Sequence, residues 1–181
     1  MSHAAIIQAT QHWLEQAVIG LNLCPFAKAV YVKNQIRYVV SEAKHLDGFL
    51  EDLDRELDFL AAADANDVDT TLLIHPSLFP DFLDFNDLLT IADEIVAEHD
   101  LEGVLQVASF HPQFQFADTD VNDISNYTNR APYPILHLLR EDSIARAVAA
   151  FPNPESIFER NIETLQKLGL AGWLALGLQE K

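Results

Sequence analysis

With 181 residues, 49 % of them apolar and 22 % charged, the chain is long enough for one full-cored domain and short for two, and its composition excludes disorder. A net charge of −17 repels nucleic acid and anionic lipid, so neither is an expected partner. The single cysteine, Cys24, excludes an intramolecular disulfide and suits a reducing cytoplasm.

The elements follow in order. Ile6, Ile7, Thr10, Trp13, Leu14, Ala17, Val18 and Leu21 recur at helical spacing, with Gly20 as a stop. LNLCPFAKAV reads as a loop. Gln35–Val40 predicts a strand. Leu46, Phe49, Leu50, Leu53, Leu57 and Leu60 predict a helix with acids outside. TTLLIHP is a short buried strand ending at a proline. Asn86 is the expected cap of a helix carrying Leu89, Ile91, Ala92, Ile95 and Val96. Gly103–Phe110 is a further strand. Residues 113–132 show no period, and a loop of that length is usually functional. PILHLLR reads either as a helix starting at Pro134 and running into SIARAVAAF or as a strand, and Pro132 and Pro134 favour the strand. Ser143 caps a helix to Ala150, and Asn153 caps another that ends before Gly169.

This alternation predicts an α/β fold: a single domain over residues 1–181, with a mostly parallel four-stranded sheet flanked by helices. The sheet would be β-α-β-α-β plus one further strand. No basic leader precedes an apolar run, and LAGWLALGL is too short to span a membrane. A cytoplasmic chain is the expectation.

Charge is unevenly spread. Between Leu46 and Ser125 stand 20 Asp/Glu and one base, Arg55. Lys28, Lys33, Arg37 and Lys44 form one basic group, Arg130 to Lys167 holds another, and Lys181 ends the chain. If the two groups converge they suit a small anion, a carboxylate or phosphate. The plainer reading pairs each base with a surface acid.

Two strands end alike, in Ile74-His75-Pro76 and Phe110-His111-Pro112. In a parallel sheet both histidines share the edge where ligands bind. His111 is the candidate general base and His75 an additional candidate, against the plain role of capping a backbone carbonyl. Cys24 is the candidate nucleophile, with Asn126 or Asn129 to orient an imidazole; a lone cysteine is otherwise a small hydrophobe. Asn129, Arg130, Arg140 and Lys28 are the candidate substrate-binding residues. His137 is a further candidate, or a packed core residue. Alternation puts Arg140 on the face opposite His137. Cys24, His75, His111 and His137 lack metal-ligand spacing, so no metal is expected. No phosphate-cradling motif occurs among the six glycines, and no cofactor is expected.

At GLNLCPFAK, FHPQFQFA, NYTNRAPYPILHLLRED and PNPESIFERNIETLQKLG nearly the whole chain resembles a bacterial family, domain of unknown function fourteen-fifteen. The resemblance implies a small cytoplasmic bacterial protein and no particular activity. It takes in Cys24, Pro25, His111, Pro112, Asn129, Arg130, Pro132, His137, Arg140 and Glu141.

Three readings follow. The first is an enzyme of hydrolase or acyl-transfer type, with Arg130, Arg140 and Lys28 holding an anionic substrate, His111 as base and Cys24 as nucleophile. The second is a non-catalytic module binding a metabolite or protein. The third is a self-associating protein, a homo-oligomer packed through the apolar tail around Trp173.

Overall fold

The computed structural model describes residues 2–178. Four strands form its sheet: β1 (Ile36–Val40), β2 (Thr70–Ile74), β3 (Leu105–Phe110) and β4 (Ile135–Arg140). Six α-helices flank it among the described residues: α1 (His3–Trp13), α2 (Ala27–Val32), α3 (Leu46–Ala62), α4 (Phe82–Glu98), α5 (Glu141–Ala149) and α6 (Ser156–Ala175).

The fold is α/β, but the sheet is mixed rather than mostly parallel. Its order is β1-β2-β4-β3. β1 and β2 are parallel, and β4 runs antiparallel to both β2 and β3. The three helix-linked strands therefore share one direction, and the fourth is inserted against them. The cause is the connection. A parallel neighbour needs a crossover, which α3 and α4 supply. Between β3 and β4 the chain makes only a loop and one 3₁₀ turn, Ile124–Thr128. It re-enters the sheet at the edge it left.

Strand alternation gives the sheet two apolar faces. On one, Leu73, Leu136, Leu138 and Leu105 meet Phe49, Leu53, Leu57 and Leu60 of α3 and Phe85, Leu88 and Ala92 of α4. On the other, Leu72, Ile74 and Ile135 meet Ile6, Trp13, Leu14, Leu165 and Trp173. Each such side chain contributes about 1.5–3 kcal/mol when fully buried. Trp173 is 3 % exposed, its ring 5.0 Å from Tyr127. The apolar tail thus packs into the chain's own core, leaving Leu170 and Leu174 outside.

Several boundaries differ from the sequence pattern. Asp81 caps α4, its carboxylate accepting from the N–H groups of Leu83 and Asp84, so Asn86 lies inside the helix. α2 begins within the LNLCPFAKAV segment, at Ala27. Arg140 occupies the N-cap of α5, while the Ser143 hydroxyl turns to Asp69. Gly169 kinks α6 at φ 64° instead of ending it. The first helix continues past Trp13 as a π-helix, Leu14–Ile19. Gly20 closes that turn: a Cβ there would lie 2.4 Å from the Gln16 carbonyl oxygen. Lys181 lies outside the described residues.

Candidate functional site

β2 and β3 run the same way, so His75 and His111 leave the sheet at one edge, on either side of the entry to β4. The His75 N–H bonds the Pro134 carbonyl, and the His111 N–H bonds that of Asn129. The two imidazoles are used alike. His75 Nδ1 accepts from the N–H groups of Ser77 and Leu78, at 3.3 and 2.8 Å, and Nε2 lies 2.9 Å from the Ala43 carbonyl. His111 Nδ1 accepts from the Gln113 N–H at 3.0 Å, and Nε2 lies 3.0 Å from the Phe79 carbonyl. An accepting Nδ1 leaves the proton on Nε2, which donates. Both rings are buried, and burial pulls both pKa values below the ordinary histidine value. Phe49 and Phe79 pack on His75, and Phe82 and Phe85 on His111. Each imidazole pins a strand to the loop that follows it, with both nitrogens occupied.

These rings face α3 and α4. Cys24 packs against the cluster on the opposite face of the sheet. The structure therefore does not bring Cys24 and His111 together as a nucleophile and base. Cys24 follows the π-helical turn, and π-helical turns often mark functional positions. Burial pushes its thiol pKa up, opposed by the N–H groups of Phe26 and Ala27.

Around Cys24 the irregular segments are tied to one another. Trp13 Nε1 donates to the Arg130 carbonyl at 2.9 Å, and Asn161 Nδ2 to the Leu23 carbonyl at 2.8 Å. Asn126, fully buried, accepts from the Phe116 N–H and the Thr119 hydroxyl and donates to the Asp120 carbonyl. Arg130 lies over the Tyr127 ring and donates to the Phe114 and Val121 carbonyls. Asn129 Nδ2 reaches the Ser109 carbonyl at 3.3 Å. Phe26 meets Phe151, and Phe116 meets Phe158. The segments around Cys24, Phe116, Arg130 and Asn161 are thus one assembly. Within it Arg130 keeps N–H donors to spare.

Arg140 stands elsewhere. It closes the far end of β4, roughly 17 Å along the strand from Ile135, and donates to the Ala63 and Val68 carbonyls. It holds the end of α3 and cannot share a ligand with Arg130. His137 lies between them on the Cys24 face. The Thr70 hydroxyl gives its proton to the Leu138 carbonyl, so His137 Nε2 donates to that hydroxyl, at 2.8 Å. Desolvation pulls His137 down to about 4.

The cations sort by face. Arg37 bonds Glu56 on the α3 side. On the Cys24 side Arg160 lies over Phe151, and Lys28 is exposed on α2 beside Phe26. Among the described residues Arg130, Arg160 and Lys28 have no carboxylate partner. The sequence pattern read Trp13 only as a helix core position and Arg160 only as part of a basic group, and did not name Asn161. Asn161 stands one turn before Leu165, so its inward position was readable; its bond to Leu23 was not.

A model of one family spans this whole assembly, matching residues 5–175. The chain belongs to the family described as Protein of unknown function (DUF1415). The match covers the segments that meet around Cys24, both His-Pro turns and the helix that carries Asn161. No curated protein and no solved structure matches this DUF1415 member. Among the described residues no three His, Cys, Asp or Glu side chains gather as a metal site, and no helix is long and apolar enough to cross a membrane.

Proposed function

We propose that this protein is a binding module for a small anionic ligand, a carboxylate or phosphate, taken up on the face where Arg130, Arg160 and Lys28 stand. One observation carries the reading. In a chain with 28 acids and 11 bases, seven of the ten described bases have no carboxylate partner among the described residues; Lys33, Lys44, Arg140 and Arg146 are the others, and Arg130, Arg160 and Lys28 stand on the Cys24 face, where Arg130 keeps N–H donors to spare. A guanidinium with spare donors grips an anion bidentately. Asn129, anchored to β3, sits beside Arg130 and belongs to the same site.

Thermal melting with inorganic phosphate and with citrate, at fixed ionic strength, tests this. Selective binding to the folded state raises the melting temperature with ligand concentration. The wild type should gain stability, Cys24→Ala should keep the gain, and the exposed double variant Lys28→Gln, Arg160→Gln should lose most of it. An equal gain with chloride, or none, contradicts the proposal.

A second reading, acyl transfer at Cys24, draws on the N–H groups of Phe26 and Ala27 directed at the sulfur. It is the weaker, because His137, the buried imidazole on this face, is held neutral and gives its proton to Thr70. Alkylation by iodoacetamide separates the two. A structural thiol reacts slowly until the pH passes the ordinary cysteine value, whereas fast reaction near neutrality favours the enzyme.

A further inference from the structure

His99 ends α4 at its C-cap, away from the proposed ligand face. Its two ring nitrogens meet two carboxylates of α3: Nδ1 is 2.8 Å from Asp58 Oδ1, and Nε2 is 3.2 Å from Asp54 Oδ1. Asp54 and Asp58 are one helical turn apart, so they present to α4 together. A neutral imidazole carries one donor and one acceptor, and an ionised carboxylate only accepts. Both bonds form at once only when the ring holds two protons. We infer that His99, Asp54 and Asp58 are a proton-gated latch between α4 and α3, closed while His99 is an imidazolium and released at one carboxylate when it loses a proton.

The surroundings favour the closed form. The carbonyl end of α4 points at His99 and prefers a cation there. Glu98, Asp100 and Glu102 flank it on its own segment, and no lysine or arginine does. β3, which also packs on α4, carries no ionisable side chain. Arg55, the one base on α3, is bonded to Asp52. The Asp58 bond lifts the His99 pKa above the ordinary histidine value against a smaller desolvation effect, and the Asp54 bond adds a lesser rise. The side chain is 24 % exposed, so protons reach it freely and salt weakens the latch.

The sign follows from linkage. A raised folded-state pKa gives stability that is complete below about 6.5, the unfolded value, and is lost as pH rises through the folded value. Urea unfolding of wild type and His99→Gln checks this. The folded-to-unfolded ratio of wild type over variant should be roughly 2–5 times larger near pH 5 than near pH 8. Nitrogen-15 shifts of the wild-type imidazole give an independent readout: His99 should titrate above about 6.5, and Asp58→Asn should move that midpoint down. A midpoint at or below 6.5, or a wild-type advantage that does not change with pH, overturns the latch.

Discussion

The two faces of the sheet are built by different physics. The α3/α4 face is regular: apolar residues at helical spacing meet alternating strand residues, and most acids point outward, the buried Glu56 paired with Arg37 excepted. The Cys24 face is irregular, with a π-helical turn, a long loop and a kinked α6. Side-chain bonds to backbone, from Trp13, Asn126, Arg130 and Asn161, take the place of regular ladders there. A surface held by polar ties can present donors and cations; one held mainly by apolar area presents what its helices leave outside.

The largest effects should come from the regular face. Phe49→Ala removes a fully buried ring packed on His75 and Phe79 and should cost about 3–5 kcal/mol in urea unfolding. A loss near that of a surface substitution would mean this face is not the main core.

Asn126→Ala should cost less, about 1–3 kcal/mol, because it strands the Phe116 N–H, while the Asp120 carbonyl keeps the Asp123 N–H. Its signature is local: hydrogen-exchange protection should fall in residues 113–126 and persist in α3 and α4. A global loss would erase the distinction between the faces.

Acidification probes both faces. Burial lowers His75, His111 and His137. Their contribution is therefore complete above about 6.5, the unfolded value, and fades as pH falls through each folded value. At about pH 6.5, where a free histidine is half protonated, the nitrogen-15 shifts of His75 and His111 should report mostly neutral rings protonated at Nε2. Imidazolium shifts there would break the account of the His-Pro turns.

The smallest effect tests polar satisfaction within the regular face. The Thr71 hydroxyl is buried with no hydrogen-bond partner among the described residues, so Thr71→Val should be neutral or stabilising by up to about 1 kcal/mol. Destabilisation beyond that would reveal a bond at Thr71.

The same contrast decides what the sequence discloses. α3, β2 and β3 are legible because hydrophobic periodicity and burial coincide. β4 is legible as a strand through Pro132 and Pro134, and its reversed direction had a signal too: no helix lies between Phe110 and Ile135 to carry a crossover. The π-helical turn leaves no mark beyond Gly20, since periods of 3.6 and a slightly wider turn look alike over six residues. At the candidate site, spacing placed His75 and His111 on one edge. It could not show that both ring nitrogens are consumed by backbone, that Cys24 lies across the sheet, or that Arg140 closes the far end of β4. Those facts depend on which carbonyls arrive from distant segments.

The most direct test of the ligand face is a titration of nitrogen-15-labelled protein with inorganic phosphate at constant ionic strength. Saturable shifts should concentrate at the Arg130 and Arg160 side chains and the amides of residues 24–28, leaving α3 and α4 still. No saturable shift, or shifts gathered on α3 and α4, would contradict an anion site on the Cys24 face.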